Sequence, residues 1–347
     1  MAAGYPASSN TYVPSHEASG GLIVAFSRNI KDFKLNQYIK LVPVSKSAGY
    51  YLQITAEEAA RVINANLQDF VWADGAEAPM GNQNLESFQY VKFLTQRFAT
   101  PFNLGQKAVN QADWPILQVH AGISAAKMMT IRTQNVWNQL TTSGNWAGNT
   151  GTATALGGGL WDVSGATDKF IRKSFNQVAE NIIQATLGVV QRKDLVCVIN
   201  PHTARLMSET EELRDVLKQS PYALGIIRGD DKETGNWESW MLPPTLFGIK
   251  VVVEDAVKVT SKKGATSKTT SYVLPNQTAV FLARPGGLVG MEGIPEFSTA
   301  QVFCYEEMTV ESKVDVDNRR TLGRCVDDVA TAVVAPAAGY YVTSCTS

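Results

Sequence analysis

The sequence points to an α+β fold built from more than one lobe. A stretch of helical period runs over about 114–140, helices alternate with short apolar strands over 164–295, and a run of period two follows near 308–317. With 347 residues, the chain is long enough for roughly two to three domains.

Composition narrows the class. The formal net charge is −1, hydrophobic residues make up 44% and charged residues 18%. No polybasic or polyacidic character marks a partner, and so small a charge does little to keep copies of the chain apart. The opening MAAGYPASSN has neither the basic nor the apolar region of a secretory signal. VATAVVAPAAGYYV, the most apolar candidate for a membrane span, is too short and holds Pro336. Cys197, Cys304, Cys325 and Cys345 form no C-x-x-C pair, which fits a reducing compartment better than a disulfide framework.

Residues up to about 27 mix Gly, Ser, Pro and Tyr and read as an extended arm. YIKLVPVSKSAGYYLQI gives two apolar blocks around a turn. Thr55 and Glu58 then form a capping box for a short helix with Ala59, Val62, Ile63 and Phe70 on its apolar face. A turn-rich tip, GAEAPMGNQN, leads to the strand FQYVKFLTQRF. Alternation puts Phe88, Tyr90, Leu94 and Phe98 on one face of it and Val91 and Phe93 on the other, so both faces require cover. Asp113 is the expected N-cap of a helix from about Trp114 to Leu140, roughly 40 Å long at 1.5 Å per residue. No acid occurs between Trp114 and Trp161, while Lys127 and Arg132 do. Either the outer face of this helix is neutral, or one side of it faces a polyanion. GNWAGNTGTATALGGG reads as a loop, and Thr167 as the cap of the next helix. LVCVI, GIKVVV and TAVFLA read as strands buried on both faces. Met308, Val310, Val314 and Val316 alternate with polar residues, predicting a strand with one buried face, lacking a partner nearby in sequence and placed beside the long helix.

The strongest catalytic candidate is DLVCVINPHTARLM, where Cys197 and His202 lie five residues apart. Cys197 sits in an apolar run, where a thiol is raised in pKa and inert. Asn200 is a favoured N-cap, Pro201 suits the first helical position, and the helix dipole disfavours a protonated His202. The stretch therefore reads as a strand turning into a helix. His16, His120 and His202 are isolated and show no metal-ligand spacing, and ALGGGL and ARPGGLVG fit neither phosphate-binding pattern. The acid pairs Glu57–Glu58, Glu211–Glu212, Asp230–Asp231, Glu306–Glu307 and Asp327–Asp328 read as solvent-facing, and the loop with Lys258, Lys262, Lys263 and Lys268 as a solvated tip. No catalytic residue, cofactor or metal is expected.

The order of elements resembles the major capsid proteins of tailed phages, the Hong Kong 97-type fold, over about 39–324. LVPVSKSAGYYLQI and ADGAEAPMGNQNLESFQYVKFLTQRFATPF resemble the two sides and tip of that family's extended E-loop. DWPILQVHAGISAAKMMTIRTQNVWNQL resembles its spine helix, and KDLVCVINPHTARLMSETEELRDVLK with LFGIKVVVEDAV resembles the strand–helix unit of its axial domain. The helix from Thr55 departs from a simple hairpin. The resemblance implies an N-terminal arm (1–38), an E-loop with flanking strands (39–105), a peripheral domain with the spine helix (106–163), an α/β axial domain (164–295), and a peripheral return strand with a tail (296–347).

It further implies a non-enzymatic subunit of an icosahedral phage shell, located in the virion and assembled in the host cytoplasm. Its partners would be other copies in hexamers and pentamers, a separate scaffolding protein, a portal, packaged double-stranded DNA and a cement protein, with no membrane. Tyr50, Tyr51, Phe88, Tyr90, Val91, Phe93 and Leu94 are the expected inter-subunit contacts, and Lys127 and Arg132 the DNA-facing residues. An isolated two-stranded ribbon is marginal in water, which independently favours cover by a neighbouring copy. The rival readings are an encapsulin-like compartment with the same fold and a cytosolic α/β enzyme with a dispersed site.

Overall fold

A computed structural model of the chain describes residues 28–54, 74, 88–112, 114–218, 240, 242–262, 264–284 and 298–347. Asp113, the segment with the expected capping box at Thr55, and most of the tip that follows it lie outside the described residues. Two larger sheets and one long helix organise what is described, and β9 (Val257–Val259) and β10 (Thr270–Tyr272) form a separate antiparallel pair.

The first sheet has four strands in the order β1 (Lys40–Pro43), β12 (Ala300–Asp315), β13 (Arg320–Val333) and β4 (Gln96–Gly105). The late period-two strand is β12, and its partner is near in sequence: β12 and β13 form a hairpin paired from Ala300↔Val333 to Asp315↔Arg320. This corrects the expectation of a strand without a local partner. The reason is the turn beyond Asp315, whose carboxylate accepts hydrogen bonds from the Asn318 backbone N–H (3.3 Å), the Asn318 amide (2.9 Å) and Arg320 Nε (2.8 Å).

The helix α2 (Ile116–Leu140) lies across β13 and β4. An α1 helix, Gln106–Gln111, precedes it. Reciprocal bonds pin α2 to the sheet: Thr100 Oγ1 donates to the Ser124 carbonyl (3.0 Å) and Ser124 Oγ to the Thr100 carbonyl (2.6 Å). Its last turns bury Val136, Trp137 and Leu140 in the core between the two sheets. The end of the helix is closed by Thr141 and Trp146, which donate to the carbonyls of Trp137 and Leu140.

The second sheet runs β5 (Thr150–Thr152), β14 (Gly339–Thr343), β11 (Ala279–Ala283), β6 (Leu195–Ile199), β8 (Ile249–Val253), β7 (Thr245–Leu246). Alternate residues of β6 enter different cores. Val196 and Val198 face the layer holding Trp137, while Leu195, Cys197 and Ile199 face helices α4 (Phe170–Ala185) and α5 (Pro201–Ser208). Burial on both faces explains the unbroken apolar run LVCVI.

Two expectations about domain limits change. The C-terminal strand β14 belongs to the α/β sheet, because its residues pair with β11 on one side and β5 on the other. The segment read as a loop, 144–159, supplies β5 and the helix α3 (Ala153–Gly157) and buries Trp146. The described part of the N-terminal segment is also built in: Tyr38 OH donates to buried Glu254 at 2.7 Å, its ring meets Trp137, and Arg28 pairs with Asp255 at 2.6 Å.

Thr167 does not cap α4. Glu212, in the first turn of α6 (Glu211–Lys218), does so from a distance, accepting from the backbone N–H of Ile171 and Arg172 at 3.0 Å each. Ser164 Oγ accepts from the Phe170 N–H. Four free N–H groups open any helix, and a buried carboxylate answers two of them here.

Candidate subunit interface

The ribbon consists of β2 (Ala48–Ile54) and β3 (Phe88–Leu94), antiparallel in a sheet of their own. Pairing runs from Ala48↔Leu94 through Tyr50↔Lys92 and Tyr51↔Val91 to Ile54↔Phe88. The Thr95 N–H donates to the Ser47 carbonyl at 2.8 Å and closes the base. The expected single strand FQYVKFLTQRF is thus two strands meeting at Thr95. Phe98 belongs to β4, packs into the core of the first sheet, and is not on the ribbon.

Direct pairing partners share a face, so the ribbon has two distinct sides. The inner side docks on its own chain. Tyr51 and Phe93 stack on Phe303 of β12, with ring centroids at 5.5 and 4.6 Å. Gly49 lies opposite Phe93, whose ring occupies the space a Cβ would need. Among the described residues nothing covers the outer side: Tyr50, Tyr90 and Leu94 are 62%, 73% and 66% exposed, and Lys92 Nζ sits over the Tyr50 ring at 5.9 Å. The expectation that both faces lack cover therefore holds for the outer face only. Phe303 was not singled out because nothing in its local pattern distinguishes it from any strand phenylalanine.

The long helix carries the other expected contacts, and it separates them. Lys127 is exposed. Arg132 is 6% exposed, and its Nε and Nη2 donate to the two oxygens of Asp327 at 2.8 and 2.6 Å. Burial opposes the Arg132 charge, but the hydrogen bonds and charge of Asp327 outweigh it and raise its pKa. A guanidinium held this way is not offered to a polyanion, which corrects the DNA-facing reading of Arg132. Asp328, on the opposite face of the same strand, is also buried, as is Glu212, so three members of the acid pairs read as solvent-facing are interior. A hint existed in the sequence: CVDDVATAVV sets two acids inside a run too apolar to be wet.

Cys197 and His202 occupy the places their local chemistry dictates. The thiol is fully buried and burial pushes its pKa up. Asn200 Oδ1 accepts from the Thr203 N–H at 2.8 Å, Pro201 opens α5, and His202 lies in its first turn. Burial, then Lys127, lowers the His120 pKa beside Phe102.

The arrangement as a whole, a two-stranded ribbon standing off a sheet spanned by a long helix and joined to an α/β lobe, matches solved structures over nearly the whole chain. A phage-related protein of Bordetella bronchiseptica RB50 superposes with a TM-score of 0.59, covering 92% of this chain and 94% of its own at 12% identity. The mature capsid of bacteriophage PhiM1 gives 0.51, with 93% and 89% covered at 10% identity. The capsid of cyanophage P-SCSP1u gives 0.51, with 95% and 92% covered at 11% identity. The chain has the tailed-phage capsid fold. No family model and no curated protein matches its sequence. The ribbon, the long helix, the first sheet and the second sheet stand in the order in which the resemblance expected an E-loop, a spine helix, a peripheral domain and an axial domain.

Proposed function

We propose that the chain is a major capsid protein whose copies assemble into the icosahedral shell enclosing the DNA genome of a tailed phage. The observation that carries this reading is the bare outer face of the ribbon. Tyr50, Tyr90 and Leu94 form an apolar surface on an element already anchored on its other side by Phe303. Fully burying Leu94 alone is worth about 1.5–3 kcal/mol, so a neighbour that covers the face gains substantially. A contact between two different patches, repeated about a rotation axis, closes a ring of copies.

In this reading the protein has no catalytic role. Its location is the virion, with assembly in the host cytoplasm beside a separate scaffolding protein and a portal. Exposed Lys127 would lie toward the packaged DNA, a contact without sequence preference. The test is the triple substitution Tyr50→Asp, Tyr90→Asp, Leu94→Asp. The variant is expected to retain the circular dichroism and thermal midpoint of the parent and to sediment as a small species where the parent forms particles. Particles of parental size from this variant refute the role of the face. Nuclease-protected nucleic acid inside parental particles favours the phage shell, and an enzyme cargo without nucleic acid favours a cellular compartment.

A further inference from the structure

The α/β lobe carries a charged projection, the β9–β10 hairpin, that stands on a buried root. The Val273 N–H donates to the Ala256 carbonyl at 2.8 Å, and Ala256, Val273 and Leu274 lie in the core between the two larger sheets. Further out, the Thr260 N–H donates to the Thr269 carbonyl at 2.9 Å and the two threonine hydroxyls meet at 3.0 Å. Gly264 turns the chain with a left-handed φ of 88°. We propose that this hairpin is the chain's contact for duplex DNA, holding phosphates without regard to base sequence. The inference deepens the shell reading above and rests on it, because that reading supplies the DNA.

The first support is charge. From Ala256 to Met291 the sequence has no acid, and it holds Lys258, Lys262, Lys263 and Lys268. The two acids at the base of the hairpin are engaged elsewhere: Glu254 is buried and accepts from Tyr38 OH, and Asp255 pairs with Arg28. Lys258, Lys262 and Lys268 have no ion-pair partner among the described residues, and Lys262 and Lys268 are exposed. The second support is the company these lysines keep. Thr266, Ser267, Thr269, Thr270 and Ser271 are exposed. Direct pairing puts Ser271 on the face of Lys258, and Lys258, Thr270, Ser271 and Asn276 line an open cleft of about 560 Å³. Ammonium, hydroxyl and amide groups are the donors that phosphate oxygens accept from.

The third support is what selects this polyanion over other partners. Protein interfaces concentrate aromatic residues and Arg and are depleted in Lys and Ser. Single-strand sites stack bases on aromatic rings. Between Val257 and Thr270 there is neither an aromatic residue nor an Arg. Val257 and Val259 are exposed, but alternation turns them to the face opposite Lys258. Like charge keeps the hairpins of different copies from meeting one another. A shell repeats the hairpin once per copy, so one long duplex meets many of them and each contact can be weak. Lys127 on α2, by comparison, supplies a single charge.

The experiment compares the full-length parent with the triple variant Lys258→Gln/Lys262→Gln/Lys268→Gln and with the charge-keeping triple variant Lys258→Arg/Lys262→Arg/Lys268→Arg. Unassembled subunits are titrated against a labelled random-sequence duplex over a salt series, thermal unfolding checks folding, and sedimentation scores particle formation. Each phosphate neutralised contributes about 0.9 to the slope of log affinity against log salt. The Gln variant is therefore expected to bind at least tenfold more weakly at low salt, with a slope smaller by about 2–3. The Arg variant is expected to bind as the parent does, and all three to form the same particles. A Gln variant with parental affinity and slope overturns the proposal, as does a folded Arg variant that binds no better than the Gln variant. Polyglutamate that displaces the duplex at equal charge overturns it in favour of an acidic protein. A folded Gln variant that no longer forms particles overturns it in favour of a subunit contact, and intact particles that capture added duplex through these lysines put the hairpin outside and overturn it too. A parent that forms no particle defeats the shell reading itself, while the salt slopes still decide whether the hairpin holds DNA.

Discussion

The pairing of Arg132 with Asp327 shows how one residue can be legible in type and illegible in role. The sequence exposes a helix with two cations and no acids, and a polyanion facing it is a sound inference from that pattern alone. The partner lies 195 positions away on β13, and no local signal joins the two. With side chains 7% and 1% exposed, the pair is nearly dry. Removing one partner leaves an uncompensated charge, so Asp327→Asn is expected to cost about 3–5 kcal/mol in urea unfolding. The double change Arg132→Met/Asp327→Leu is expected to recover most of that loss, and a double variant no more stable than the single one would contradict this account. Asp315 gives a second test at this scale. Its folded carboxyl lies at about 2, below the ordinary value near 4, so its contribution is present at neutral pH and fades as pH falls toward 2. A carboxyl titration followed by nuclear magnetic resonance is expected to place its midpoint near 2, and Asp315→Asn to abolish the acid-induced loosening of the turn.

Among the elements, those with strong local patterns were the readable ones. The long helix follows from periodicity, although its cap position is Pro115 without a side-chain bond and it starts at Ile116; the strand LVCVI and its Asn200–Pro201 helix start follow from periodicity and capping, and the structure places them where these rules do. Elements set by distant partners were not readable. The strand β5 is only Thr150–Thr152 and exists because β14 lies beside it, and α4 starts where Glu212 reaches it. The ribbon falls between these cases: its alternation is visible, but which face is sheltered depends on Phe303. That residue is 4% exposed and stacks with two ribbon aromatics. Phe303→Ala is expected to destabilise the chain by about 3–5 kcal/mol, as large core truncations do. Hydrogen exchange is expected to rise along β2 and β3 beyond what the global loss explains. Exchange that stays parental in the ribbon would show that the stack does not fix it.

For the whole molecule, order along the chain carried more information than any motif. A two-stranded excursion, a long helix, an α/β lobe and a late strand together specify the architecture, although each is ordinary alone; the expected extended arm up to residue 27 lies outside the described residues. The sequence could not show the closing move, in which the last strand, β14, leaves the peripheral lobe and completes the axial sheet. That move joins the two lobes through a shared core containing Trp137, Val198 and Val302. Such a joint fastens the first sheet to the second. Sedimentation velocity of the purified parent chain, with negative-stain images of the same fractions, tests the central claim most directly. Uniform closed shells are predicted; a folded protein that remains between monomer and tetramer, at concentrations where shells should form, would contradict it.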